Sequence, residues 1–223
     1  MPLGSPYGGQ RICLATHHGK QRALARPFAL GLGAFSGEVQ RLDDALSTCR
    51  SKAWIGLEQS GLGLGMASEA SFGPHPSVPM LAVGQELLVF IDRARDLTVV
   101  EQRIEWRTNY AQKRLKPGED PIPWLKQVGF PSHGVIASPS ERADGPFFKD
   151  LTDPVVLQEA LAACRRLDSQ GQVWLATDMR AHRNPTRMRS IRRLGVELVQ
   201  PLVQNLLLEW VSPGPCARGP IGE

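Results

Sequence analysis

A chain of 223 residues with 42% apolar and 22% charged residues can bury a core without cross-links and is too apolar to be disordered. Its formal net charge of +4 and pI near 9.1 point weakly to anionic partners. Cys13, Cys49, Cys164 and Cys216 form no CxxC pair, which leaves out a zinc knuckle or a disulfide framework readable from spacing. Buried free thiols in a reducing cytoplasm are the simpler expectation. The opening MPLGSPYGGQR has neither the charged region nor the apolar stretch of a secretory signal. The most apolar segment, 194–211, contains Glu197, Gln200, Pro201, Gln204, Asn205 and Glu209 and is too polar for a membrane span. The expected location is therefore cytoplasmic, with no membrane partner.

Residues 1–10 are rich in Gly and Pro and predict a flexible N-terminus. Residues 11–211 read as a single α/β domain, and 212–223 (SPGPCARGPIGE) as a disordered tail. RICLAT (11–16) has the length of a buried strand, followed by a His17-His18-Gly19 turn and a helix from Lys20 to about Leu32, disturbed at Pro27. Residues 43–59 predict a helix with Leu46, Cys49, Ala53 and Leu57 on one face. A short strand at 61–67 runs into SEASFGPHP (68–76), which holds too many breakers to be regular. ELLVFID (86–92) and LTVVEQRIE (97–105) predict a hairpin. A short helix at 121–128, a strand at 133–138, a helix capped by Asp153-Pro154, a strand at 173–177 and a last helix capped by Asn184-Pro185 follow, with a break near Pro201. Strands alternating with helices predict a helix-covered sheet, and the hairpin makes it mixed.

The densest chemical signal is DMRAHRNPTRMRSIRR (178–193), with six arginines and no acidic residue from Arg180 onward. It leaves a strand and enters a helix N-terminus, where added cations oppose the helix dipole. Local helix stability therefore does not explain them. A bound phosphate explains Arg180, His182 and Arg183, because guanidinium groups fork onto its oxygens. A solvated basic face suits Arg189, Arg192 and Arg193. In THHGK (16–20), Lys20 after a glycine turn is a second phosphate candidate, although a plain loop-to-helix turn has the same form. His17 and His18 are adjacent, a poor spacing for chelating one ion. Glu69, past an apolar strand, suits an Mg²⁺ ligand or general base, against a solvated turn residue. Asp43 and Asp44 start a helix, where they favour the dipole or could join Glu69 on a metal. Thr108-Asn109-Tyr110 could contact a base or ribose. P-loop, dinucleotide, GxSxG and HExxH motifs are all missing from the sequence.

The blocks THHGK, FSGEV (35–39), ASEASFGPHP (67–76), ELLVFID, RTNYAQ (107–112), VGFPSHG (128–134), FFKDLTD (147–153) and TDMRAHRNPTRM (177–188) resemble a bacterial domain of unknown function over roughly residues 11–210. The chain departs from that pattern at Ala70, where Gly is usual, and at Ser47, where Glu is frequent. More distantly, the motif order is similar to the inosine triphosphate pyrophosphatase family. That resemblance implies a phosphate-binding Lys20 after the first strand, a Lys52-Ala53 pair after an acidic helix start, an acidic turn at Ser68-Glu69 and a basic loop at Ala181-His182-Arg183. The fold it implies is an inosine triphosphate pyrophosphatase-like α/β fold, a mixed central sheet flanked by helices. The expected function is Mg²⁺- or Mn²⁺-dependent hydrolysis of a nucleotide or other phosphorylated small molecule. Lys20, Arg180, His182 and Arg183 would bind phosphate, Glu69 and Lys20 would be catalytic, and Glu69 with Asp43 and Asp44 would hold the metal. The alternative is a non-enzymatic nucleotide- or nucleic-acid-binding module that uses the Arg180–Arg193 segment.

Overall fold

The computed structural model describes Tyr7 and residues 10–16, 19–20, 23–24, 31–35, 45–75, 77–141 and 146–211. His17, His18, Asp43, Asp44, Cys216 and the segment 212–223 lie outside them. Among the described residues the strands are β1 (Arg11–Ala15), β2 (Gly31–Phe35), β3 (Leu64–His75), β4 (Val78–Asp92), β5 (Leu97–Glu105), β6 (Gln112–Leu115), β7 (Val135–Ser138), β8 (Phe148–Leu151) and β9 (Val173–Thr177). The longer helices are α1 (Ala45–Ser60), α2 (Ile122–Val128), α3 (Pro154–Leu167) and α4 (Pro185–Val211). The strands form two sheets. One is five-stranded in the order β2-β1-β3-β4-β5, parallel through β2-β1-β3 and antiparallel through β3-β4-β5. The other has the order β6-β9-β7-β8, with every neighbouring pair antiparallel. The protein is thus mixed α/β as the alternation predicted, with two sheets in place of one.

Strand alternation gives the first sheet two buried faces. On one, Ile12, Leu14, Met66, Leu88 and Phe90 pack against Ile191, Leu194 and Leu198 of α4. On the other, Ala67, Leu87, Val89 and Ile91 pack against Cys49, Ala53 and Leu57 of α1, with half-buried Leu46 packed against them, so all four residues expected on that helix face lie on it. The second sheet packs Leu115, Val135, Ala137 and Leu175 against α2 and α3. Cys13, Cys49 and Cys164 are buried free thiols. Among the described residues, no helix is long and apolar enough to cross a membrane.

Both expected caps are present. Asp153 accepts the backbone N–H groups of Val155 and Val156 at 2.8 and 3.1 Å, and Asn184 Oδ1 accepts that of Arg187 at 3.0 Å.

Several expectations need correction. Residues 31–35 form β2 rather than the end of a helix: glycines 31 and 33 are weak helix formers, and the stretch pairs in parallel with β1. SEASFGPHP is regular up to His75, because β4 pairs β3 along this whole length. Pro74 is tolerated there since the pairing with β1 ends at Ala67, so no described strand needs a donor from Pro74 on that side. Helix α4 runs through Pro201 without breaking. Strands β6 and β8, each of four residues, were not expected; their sequences QKRL and FKDL are too short and charged to show an apolar alternation. Within the first ten residues, Tyr7 is anchored, buried with its hydroxyl donated to Asp92 at 3.1 Å.

Helix α1 lies so close to β3 that a Cβ on Gly65 would stand 2.6 Å from Leu57 Cγ. Gly65→Ala should therefore destabilise the fold by about 1–3 kcal/mol through overpacking. A lower midpoint in urea denaturation is the expected reading, and an unchanged midpoint contradicts this packing.

Candidate anion-binding site

Strand β1 makes its last pairing, Ala15 to Ala67, two residues short of Glu69. Beyond it, among the described residues, Ser68 and Glu69 pair only with β4 and are both buried. The chain turns back through Gly19 at φ +64°, a left-handed conformation that side chains rarely adopt. A Cβ at Gly19 would lie 3.8 Å from the Cβ of His182, so the turn after β1 abuts the loop after β9. Lys20 is buried, and its Nζ donates to Ser68 Oγ at 2.8 Å and to the Ser68 carbonyl at 3.2 Å. Burial, and then the Arg187 charge, lower the Lys20 pKa to about 8, against the opposing pull of Glu86 and Glu69.

Arg187 leaves the first turn of α4 and points into the first sheet. Its Nε donates to Glu86 Oε1 at 2.6 Å, Nη2 reaches Oε2 at 3.4 Å, and Nη1 donates to the Met179 carbonyl. The guanidinium lies over Phe72 at 5.2 Å, and Phe72 stacks on Tyr110 at 6.3 Å. Glu86 is fully buried. Burial pushes its carboxyl pKa up, while the charge and hydrogen bonds of Arg187 pull it back. Lys20, Ser68, Glu86 and Arg187 thus form one buried polar cluster where the apolar face under α4 ends.

The loop after β9 forms the other wall. Its backbone is pinned to the start of β7, with Gly134 N–H donating to the Arg183 carbonyl and Asp178 N–H to the Gly134 carbonyl, each at 2.8 Å. Asp178 is fully buried and accepts Arg180 through both carboxylate oxygens, with Nε to Oδ1 at 3.0 Å. Arg180, His182 and Arg183 then converge on Oδ1 of Asp150 in β8, at 3.1, 3.5 and 2.6 Å. The hydrogen bond from Arg183, followed by the Arg180 charge, holds the Asp150 carboxyl below the usual carboxylate range.

Glu69 is not in a loop: it sits within β3 opposite Leu87, with its side chain paired to Lys52 of α1. It belongs to the face under α1, and Ser68 to the face under α4. The stretch of β3 beyond its pairing with β1 is where the two meet, and Lys20 feels the charge of Glu69 there. The Cys49 thiol is pushed up to about 12, mainly by burial and then by Glu69. Beside Glu69, a cleft of about 300 Å³ is lined by Ala45, Leu46, Ala70, Ser71, Gln85, Leu87 and Gln102. Asp43 and Asp44, the other expected metal ligands, lie outside the described residues. Among the described residues, no three His, Cys, Asp or Glu cluster to hold a metal. Mg²⁺ asks for less, since one or two carboxylates plus ligand phosphates suffice.

The structure brings Lys20 to the Arg180–Arg183 loop and next to Ser68-Glu69. It also turns the arginine run into several paired groups, since Arg183 meets Asp150, Arg187 meets Glu86, and Arg193 approaches Glu105 at 3.9 Å. Glu86, Arg187, Asp178 and Asp150 are the residues that sequence reasoning did not assign. Period-two alternation could have found Glu86, which shares a face with Leu88 and Phe90. Asn109, a candidate for base or ribose contact, instead donates to the Val128 carbonyl at 2.9 Å and accepts from Asn184 at 2.8 Å.

These features define a mixed α/β protein in which the turn after β1 meets the basic loop after β9. Residues 52–214 match the sequence model of the domain of unknown function DUF6671, and the chain belongs to that family. No curated protein shows a significant match to it.

Glu86→Ala leaves Arg187 buried without its countercharge and should cost about 3–5 kcal/mol in denaturant unfolding. A loss below about 1 kcal/mol, no more than an exposed pair contributes, contradicts the buried pair. Lys20 supplies a pH test. Its folded pKa of about 8 lies below the ordinary lysine value of 10.5, so the unfolded chain holds more protons between the two. The burial penalty is present in full below about 8 and is relieved as pH rises towards 10.5. Stability should climb across that window in the wild type and climb less in Lys20→Met. Equal slopes contradict a buried, charged Lys20.

Proposed function

We propose that this protein is a nucleotide phosphohydrolase, and that hydrolysis of a nucleoside triphosphate to a monophosphate and pyrophosphate suits its residues best. The observation that carries the reading is the contact of the Gly19 turn with His182. It brings the turn that carries Lys20 against the loop that carries Arg180, His182 and Arg183, and the seam between them is the ligand mouth in this reading. So many cations on two abutting segments favour a ligand with several negative oxygens. The order of these motifs, similar to that of the inosine triphosphate pyrophosphatase family, supports the same class.

In this mechanism the loop after β9 grips phosphate oxygens with the forks of Arg180 and Arg183. Lys20 adds charge from beneath the turn, and a bound phosphate competes with Ser68 for its ammonium. Glu69 of β3 takes a proton from the attacking water or orients it. Lys52, its ion-pair partner, holds that carboxylate in place. Mg²⁺ or Mn²⁺ on Glu69, joined by Asp43 or Asp44, would neutralise phosphate charge and acidify water. The remaining contribution of the protein is positioning and preorganised charge. A nucleic-acid-binding face is less well supported, because Arg183, Arg187 and Arg193 already face Asp150, Glu86 and Glu105.

The test is a panel of standard and non-standard nucleoside triphosphates with Mg²⁺ or Mn²⁺, scoring pyrophosphate and phosphate separately. Pyrophosphate release should fall about 100-fold or more in Glu69→Gln, while nucleotide affinity stays within a few-fold. No release from any triphosphate, or full activity in Glu69→Gln, overturns the reading. Binding of nucleic acid that weakens steeply with salt would move the function to the basic segment.

A further inference from the structure

Asp150 is in an unusual position. It is a non-glycine residue at φ +65° within a strand, a conformation held only where the surroundings impose it. Its strand is the edge of the second sheet, pairs only with β7, and shifts register between Val135 and Ala137. One oxygen, Oδ1, receives Arg183, Arg180 and His182 together. The carboxylate itself is 43% exposed. Arg180 does not depend on it, because buried Asp178 holds that guanidinium from the other side. The backbone of the basic loop does not depend on it either, being fixed by the two hydrogen bonds to Gly134. The Arg180 guanidinium and the loop backbone are therefore preorganised without Asp150, and the solvent-facing carboxylate lies where the donors of Arg180 and Arg183 converge.

We infer that the Asp150 carboxylate stands in for a phosphate group, closing the Arg180–His182–Arg183 site in the ligand-free protein and being displaced when a phosphorylated ligand binds. This rests on the phosphate-binding reading above and adds to it a built-in competitor. A ligand phosphate, with more oxygens and more charge than one carboxylate, takes over the donors of Arg183 and Arg180. Asp150 then turns out to solvent, a short step for an exposed side chain on an edge strand. Weak anions lose this competition, so the site selects for di- and triphosphates over singly charged ligands.

The experiment is calorimetric titration of the full-length protein with inorganic pyrophosphate, comparing wild type with Asp150→Asn. Asparagine keeps the left-handed backbone and most of the volume but removes the charge. If the site is closed by Asp150 most of the time, apparent affinity is reduced by the open fraction, and Asp150→Asn should bind roughly three- to tenfold tighter. Asp153→Asn serves as the control: it removes one charge three residues away, and Asn remains an effective helix cap. Tighter binding in Asp150→Asn alone supports the inference. Equal gains in both variants mean a general charge effect and overturn it. Unchanged or weaker binding in Asp150→Asn, with the wild type binding normally, shows that Asp150 holds the cations in place and also overturns it. No binding to either protein overturns the phosphate reading as well. Asp150→Gly, which relieves the backbone conformation too, should match Asp150→Asn in affinity. Tighter binding confined to Asp150→Gly would assign the effect to backbone strain and contradict the charge competition.

Discussion

The buried pair of Arg187 and Glu86 is the interaction on which the arrangement of this molecule turns. Arg187 belongs to α4, Glu86 to the first sheet, and the Met179 carbonyl that Arg187 also bonds belongs to the loop after β9. One guanidinium thereby ties the helix, the five-stranded sheet and the end of the four-stranded sheet together. Two ions out of water are costly unless their hydrogen bonds are complete. Here both Glu86 oxygens and all three Arg187 nitrogens are engaged, and Phe72 covers the flat face. With this joint fixed, the loop carrying Arg180, His182 and Arg183 lies against the turn carrying Gly19 and Lys20.

The charge arrangement around that mouth is layered. Deep inside, Glu86 balances Arg187, and Lys20 rests on Ser68. Halfway out, buried Asp178 holds Arg180. At the surface, Asp150 takes the remaining donors of the basic loop. Glu86, Ser68 and Asp178 are all buried and only the Asp150 carboxylate is exposed, so the contacts to Asp150 are the ones most easily exchanged onto a ligand. Glu69 and Lys52 form a separate pair on the other face of β3. A phosphorylated ligand lying across β3 beyond its pairing with β1 would meet cations on one side and a carboxylate on the other, which is the division of labour that phosphoryl chemistry requires.

Much of this was legible in the amino-acid sequence, for identifiable reasons. The α1 face, the β4-β5 hairpin and the caps at Asp153 and Asn184 rest on local periodicity and local hydrogen bonding, which sequence displays directly. Lys20, Glu69 and the basic loop stood out because their residue types suit anions and metals. What was hidden depended on pairing between distant segments. Strands β6 and β8 are short and acquire order only from β9 and β7. The proline-containing end of β3 is regular because β4 covers it. Arg187 looked like one more arginine in a basic run, since nothing local shows that it faces Glu86, 101 residues away. Asp150 looked unremarkable for the same reason. The two sheets replaced one because the strands after β5 pair among themselves, a choice made by tertiary packing.

The measurement that tests the central claim most directly is a crystal structure of the protein with a non-hydrolysable nucleoside triphosphate analogue and Mg²⁺. The account predicts phosphate density in the mouth between Gly19 and His182, within hydrogen-bond reach of Arg180 and Arg183, with the metal on the side of Glu69. Density at a different surface, or an empty mouth at saturating analogue, would contradict it.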